Sequence, residues 1–184
     1  MRIIAGTWRG RRLTPLGKGD DQAHLRPTPD RVRESLFSML SARNVLEDAR
    51  VLDLFAGTGA LGLEALSRGA SYALHVENGR IGKKLIAQNH KLLDANAELH
   101  VCDAAALRKC HLQPFDLVFL DPPYGKGLGM RALSAALAGE WLQPGALVVW
   151  EENALQTAPD GFTYIDHRRF GDTHVTLLEV DAQP

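Results

Sequence analysis

From residue 51 onward, short apolar runs alternate with helix-patterned stretches, and this alternation restricts the fold more than any other feature of the chain. Residues 51–55 (Val-Leu-Asp-Leu-Phe) read as a buried strand, 60–68 as a helix that Gly69 ends, and 71–76 as the next strand. A helix to about residue 93, strand-like residues 98–102 and a helical turn after Asp103 continue the series. They are followed by a strand over 115–120, a helix over 130–137 and a strand over 146–150. Neighbouring parallel strands need a long crossover, normally a helix, so this order predicts a mostly parallel sheet with helices on both faces. Two final strands, 163–168 and 174–180, are joined around Gly171-Asp172 and should form an antiparallel hairpin at one edge. The fold class expected is α/β.

Ahead of this body lies a segment of different character. Residues 2–5 and 11–16 suggest a hairpin around Gly6 and Gly10. Thr28 is placed as an N-cap, with Pro29 at the first helical position and Asp30 in the first turn. Val32, Leu36, Met39 and Leu40 then share one helical face. We divide the chain into a basic hairpin-and-helix extension, 1–45, packed on the same domain, and a catalytic body, 46–184. Net charge is −1, but it is unevenly spread. Through residue 33 there are eight basic and three acidic residues; the remaining 151 carry 13 basic and 19 acidic. A basic arm on an acidic body suggests contact with a polyanion, the alternative being a solvated extension.

A chain of 184 residues with 45% hydrophobic and 23% charged residues is of a size and composition for one globular domain. It has neither an apolar run long enough to span a bilayer nor a signal-peptide core, so a cytoplasmic protein is expected, with monomer the default at this size. Cys102 and Cys110 make no disulfide framework or zinc site, and the seven histidines show no metal-ligand spacing. No metal is expected. No serine sits in a G-x-S-x-G elbow, so a nucleophilic triad is unsupported.

The first stretch that carries chemistry is Asp53-Leu54-Phe55-Ala56-Gly57-Thr58-Gly59-Ala60-Leu61-Gly62. Glycines between a buried strand and a helix allow a sharp turn and bring free helix N-terminal amides close to a ligand. Gly57, Gly59 and Gly62 satisfy G-x-G-x-x-G, and Glu77 ends the second strand where a ribose-binding acid belongs. This spacing serves nicotinamide enzymes and methyltransferases alike. Asp53, a carboxylate inside an apolar strand, must be paired or hydrogen-bonded. It either orders the glycine loop or meets a cationic ligand, and S-adenosyl-L-methionine carries both an ammonium and a sulfonium.

The second is Asp121-Pro122-Pro123-Tyr124, directly after the strand 115–120. Here the chain resembles the amino-methyltransferases, whose [DN]-P-P-[YFW] motif ends the fourth strand. An exocyclic amine on a heteroaromatic ring is a poor nucleophile because its lone pair is delocalised. The Asp121 carboxylate and the Pro122 carbonyl can accept its two N–H bonds and aim the lone pair. The two prolines hold these acceptors rigid, and Tyr124 can stack on the base.

The third stretch is Arg2-Ile3-Ile4-Ala5-Gly6-Thr7-Trp8-Arg9-Gly10-Arg11-Arg12-Leu13, followed by Leu25-Arg26-Pro27-Thr28-Pro29-Asp30-Arg31-Val32-Arg33-Glu34-Ser35-Leu36-Phe37. With residues 53–62, 121–124 and Phe170-Gly171-Asp172-Thr173, it makes the chain closely similar, nearly end to end, to bacterial small-subunit rRNA guanine-N2 methyltransferases of the RsmD type. Only residues 18–24 and 125–165 are less distinctive.

The resemblance implies a class I S-adenosylmethionine-dependent methyltransferase with a seven-stranded, mostly parallel, Rossmann-like sheet. It also implies methyl transfer to the N2 amine of one guanine in 16S rRNA of the small ribosomal subunit or an assembly intermediate. Arg26 and Thr28 would then border the cofactor and target cleft. Asp103 would bond the adenine amino group, although it serves equally as an N-cap for the following turn. The cofactor set becomes Arg26, Thr28, Asp53, Phe55, Ala56, Gly57, Thr58, Gly59, Glu77, Asn78, Asp103 and Ala104. Asn78-Gly79 departs from relatives that continue with a charged residue after the ribose acid.

RNA contacts are expected from Arg2, Trp8, Arg9, Arg11, Arg12, Arg31, Arg33 and Lys126. Trp8 either stacks on an unpaired base or covers the hairpin's own apolar face. Three other functions fit part of the pattern. A DNA adenine-N6 methyltransferase would share 121–124, but about 50 residues before the sheet leave little room for target recognition. A nicotinamide oxidoreductase would share the glycine loop but has no use for Asp-Pro-Pro-Tyr. A non-catalytic RNA-binding assembly factor would have no need of intact Asp53, Glu77 and Asp121.

Overall fold

The computed structural model describes residues 1–17 and 28–182. Helix α1 (Asp30–Ala42) leads into β1 (Arg50–Leu54), α2 (Ala60–Ser67), β2 (Tyr72–Val76), α3 (Arg80–Leu93) and β3 (Ala97–His100). A 3₁₀ turn (Ala104–Ala106), β4 (Phe115–Leu120), α4 (Leu128–Ala138), β5 (Leu142–Glu152), β6 (Phe162–Phe170) and β7 (Thr173–Val180) complete the order. All seven strands form one sheet in the order β3-β2-β1-β4-β5-β7-β6. The five strands from β3 to β5 are parallel; β7 runs antiparallel between β5 and β6. This is the class I methyltransferase fold. No helix among the described residues is long and apolar enough to cross a membrane.

Side chains of β1 alternate between two cores, as the pleat requires. Leu52 and Leu54 face α4 with Leu74, Val76, Val118, Leu133 and Trp150. Val51 faces α1 and α2 with Leu36, Phe37, Leu40, Leu61, Ala73 and Phe119. Burial on both faces explains why the central strands read as unbroken apolar runs.

The N-terminal segment differs in detail from the expected hairpin. Its pairing reduces to one antiparallel bridge, Arg2 to Arg12, flanked by Ile3 N–H to Arg11 O and Gly10 N–H to Ile3 O. What holds it is the body. Ile3 and Leu13 pack with Ala60, Leu63 and Leu93, and Glu64 of α2 accepts from the amides of Ile4 (2.7 Å) and Ala5 (3.0 Å). A Cβ at Gly6, whose φ is +80°, would lie 1.7 Å from the Ser67 carbonyl oxygen, so only glycine fits there.

Two sequence expectations need correction. Thr28 is not the N-cap of α1: Pro29 occupies that position, and the Thr28 hydroxyl instead reaches Glu151 Oε2 at 3.3 Å. Arg33, expected at the RNA surface, is wholly buried. Its guanidinium donates to Arg2 O (2.7 Å) and Asp30 Oδ1 (2.8 Å) and lies 3.9 Å from Glu64 Oε2, out of reach of a phosphate.

Candidate active site

The strand order reverses between β1 and β4, so their following connections diverge and leave a crevice at the carboxyl edge of the sheet. Each of the neighbouring strands delivers an acid there. Asp53 is the penultimate residue of β1, Glu77 follows β2, Asp121 follows β4, and Glu151 and Glu152 end β5.

The chain leaves β1 through a left-handed Phe55 (φ 59°), followed by Gly57 (φ 56°) and Gly59 (φ 75°). For a bulky side chain such as Phe55 this conformation costs on the order of 1–3 kcal/mol, and it persists because neighbours impose it. Ala56 N–H is bound by Val76 O, and Gly57 N–H donates to Glu77 Oε2 at 2.9 Å. Glu77 Oε1 accepts from Gly79 N–H at 2.6 Å, so one carboxylate ties the β1 loop to the start of α3. Gly82 lets that helix close in, since a Cβ there would stand 2.9 Å from Gly57 O. Asn89 of α3 donates to Thr58 O at 3.0 Å and accepts from Thr14 N–H at 2.8 Å, joining loop and N-terminal segment.

Asp53 is buried, and its Oδ2 accepts from Gly62 N–H at 3.0 Å. Burial raises its carboxyl to about 8 against that hydrogen bond, with the charge of Glu77 adding to the rise. Asp121 lies well above the usual range, through desolvation first and then the charges of Glu151, Asp53 and Glu152. Burial likewise raises Glu151, opposed by hydrogen bonds from Tyr124 and Thr28. The Tyr124 hydroxyl donates to Glu151 Oε1 at 2.9 Å, and burial with the charges of Glu151 and Asp121 keeps the phenol protonated. Gly125 N–H donates to Glu152. Pro122 is buried and Pro123 exposed, the pair forming a rigid corner between β4 and Tyr124.

Most of the expected site residues therefore converge: Thr28, Asp53, 55–59, Glu77 and 121–124 lie around one crevice. Asn78 is exposed at its rim. Asp103, also exposed, caps the 3₁₀ turn through Ala105 N–H at 2.9 Å, and Ala104 is buried behind it. Arg26 lies outside the described residues. Glu151 and Glu152 were not anticipated, although two acids ending an apolar strand follow the same logic as Asp53.

The basic residues form a second group. Met1 reaches the loop, its Sδ 3.6 Å from Thr58 Oγ1. Beside it lies a cleft of about 510 Å³ lined by Met1, Arg2, Arg12, Leu13, Pro15 and Asp30. Arg2 pairs with Asp30, and Arg11 donates to Leu92 O. Arg9, Arg12, Arg31 and Lys126 are exposed and make no ion pair among the described residues. Trp8 is half-buried and packs on the Ile3–Leu63 cluster, which favours its role as a cover.

Comparison with known proteins agrees with this architecture. Residues 1–179 match the family described as conserved hypothetical protein 95. Ribosomal RNA small subunit methyltransferase D of Escherichia coli K12 is 39% identical, over 100% of this chain and 91% of that protein. The protein of the same name from Haemophilus influenzae is 35% identical, over 97% and 93%. The solved structure of Escherichia coli yhhF superimposes with a TM-score of 0.84 at 37% identity, covering 100% of this chain and 99% of that one. Matched along nearly its whole length in sequence and fold, the chain belongs to the RsmD-type family of methyltransferases.

Proposed function

We propose that the protein transfers a methyl group from S-adenosyl-L-methionine to the exocyclic N2 of a guanine in 16S rRNA. The observation that carries the reading is the set of desolvated carboxylates around a glycine loop. Burial raises the pKa values of Asp53, Asp121 and Glu151, and the charges of neighbouring carboxylates add to the rise at Asp53 and Asp121. A cationic ligand relieves that repulsion, whereas the pyrophosphate of a dinucleotide would add to it. The strained loop, the Glu77 clasp and the glycine contact between α3 and the loop suit close approach of such a ligand to the backbone.

We assign Asp53, 55–59, Glu77, Asn78, Asp103 and Ala104 to the cofactor, with Arg26 and Thr28 at its border. Bound there, the cofactor would supply an electrophilic methyl group on a sulfonium. Asp121 accepts one N–H of the guanine amine, and the Pro122 carbonyl accepts the other. The amine's lone pair is then fixed in direction before transfer. With its pKa raised, Asp121 is also suited to take up the proton the amine releases. Tyr124, its hydroxyl tied to Glu151, offers its ring to the flipped base. Residues 1–45 serve as the RNA-gripping extension of the catalytic unit 46–184, through Arg2, Arg9, Arg11, Arg12 and Arg31, with Lys126 from the body.

Calorimetry with S-adenosylmethionine, S-adenosylhomocysteine and NAD tests the cofactor class. The two S-adenosyl compounds should bind and NAD should not. NAD binding in preference to them would overturn the reading.

A further inference from the structure

The glycines of the loop are shaped as much by what lies beneath them as by a ligand above. Register pairs Asp53 of β1 with His75 of β2 and sets a wholly buried imidazole under the turn. A Cβ on Gly62 would lie 2.5 Å from His75 Nε2, and one on Gly59 would lie 3.1 Å from the same atom. The third glycine of the motif is thus the space that His75 fills. His75 Nε2 is 3.2 Å from Gly59 O. That carbonyl also accepts Leu63 N–H at 3.0 Å, the first bond of α2.

A carbonyl can only accept, so the contact with Gly59 O calls for a proton on Nε2 and leaves Nδ1 its lone pair; the backbone of Glu98 also hydrogen-bonds the ring. Nδ1 in turn faces His90 Nε2 of α3 at 3.1 Å, and His90 must therefore donate. The remaining titratable neighbour is Asp53, whose Oδ2 is 3.7 Å from His75 Nε2, on the side of the N–H. Burial and the proximity of His90 lower His75 to about 3, against hydrogen bonds to the Gly59 and Glu98 backbones, so the ring stays neutral with a single ring proton.

We propose that His75 is a positioning residue for the cofactor loop, locked as the Nε2–H tautomer by His90, so that it fixes the Gly59–Ala60 peptide from below. Within that planar unit the Ala60 N–H points opposite to the Gly59 carbonyl, away from α2 and off its N-terminus. Holding the carbonyl therefore aims the first helical amide before a ligand arrives. The proposal rests on reading residues 55–59 as the cofactor loop.

NMR of the wild type and calorimetry on three variants test it together. Nitrogen-15 NMR of histidine-labelled protein should show His75 protonated at Nε2 and bare at Nδ1. Calorimetry with S-adenosylhomocysteine should show His75→Leu weakened about tenfold or more, as expected for a buried carbonyl that keeps only one of its two donors. His75→Gln, which keeps an N–H, should recover much of that affinity. His90→Leu, at a half-buried position, should weaken binding while the protein stays folded, because the His75 tautomer is no longer fixed. An Nδ1–H tautomer in the wild type would overturn the proposal. So would unchanged affinity in both folded His75→Leu and His90→Leu. If wild type itself failed to bind S-adenosylhomocysteine, the cofactor reading would fall first and the positioning role with it.

Discussion

Asp121 is desolvated and faces the charges of Glu151, Asp53 and Glu152. If it orients the substrate amine, Asp121→Ala should lower single-turnover methyl transfer by roughly 100-fold or more while cofactor affinity stays near wild type. Retention of more than about a tenth of the rate would remove Asp121 from that role. Asp53 makes a separate prediction, about stability. Its folded pKa, about 8, lies above that of a free carboxyl, so the fold favours the protonated form. The stability this contributes is fully present below the unfolded value near pH 4 and is lost as pH rises through about 8. The melting temperature of ligand-free protein should fall across that window, and Asp53→Asn should flatten part of the fall. An unchanged slope would show that another group titrates there.

Legibility at this scale is uneven for physical reasons. The acids and glycines announce themselves because a charge in an apolar strand and a glycine between strand and helix are both costly without a use. Arg33 misleads because its charge suggests the surface while its position does not. It shares the helical spacing of Leu36, Phe37 and Leu40, and that face is buried. His75 gives no signal at all, since only the β1–β2 register puts it beneath Gly59 and Gly62.

Between elements, Glu151 joins β5 to both sides of the crevice, accepting from Tyr124 after β4 and from Thr28 before α1. Glu151→Ala takes the carboxylate acceptor from the half-buried Tyr124 hydroxyl and leaves it only Thr173, a loss of about 1 kcal/mol or more in the arrangement that receives the base. The expected result is an increase in KM for RNA, or a decrease in kcat, of about tenfold, with cofactor affinity little changed. Glu151→Gln, which still offers an oxygen, should be milder. Steady-state kinetics for the two variants checks this, and equal, wild-type values for both would contradict it. The N-terminal segment carries the other prediction at this scale. Replacing Arg9, Arg11 and Arg12 together by alanine should weaken RNA binding. The slope of log affinity against log salt should shrink by up to about 0.7 for each single-strand phosphate that the variant no longer neutralises. Equal slopes would leave these arginines as a solvated face. Element order and type are readable because strand and helix periods differ, whereas the N-terminal pattern suggests more hairpin than forms. Its few backbone pairs are supplemented by Glu64 and Ser67 of α2, and such long-range anchors leave no local pattern.

At the scale of the whole molecule, function follows from where the sheet reverses. The parallel strands bring Asp53, Glu77, Asp121 and Glu151 to one edge, and the basic extension folds back so that Met1 reaches the same loop. The acidic crevice suits a cationic cofactor, while the exposed arginines beside it suit a polyanion. The alternation of strands and helices makes the parallel part of the sheet legible. The insertion of β7 between β5 and β6 is not, because a hairpin pattern does not say which of its strands meets the body. Methylation of a guanine N2 in 16S rRNA can be read out by mass-spectrometric mapping of rRNA from a strain lacking this protein and from the same strain complemented with it. One N2-methylguanine in 16S rRNA should disappear in the deletion, return with the wild-type gene and stay absent with Asp121→Ala. An unchanged set of modified nucleotides in the deletion, or loss of a methyl group from any other base or atom, would contradict it.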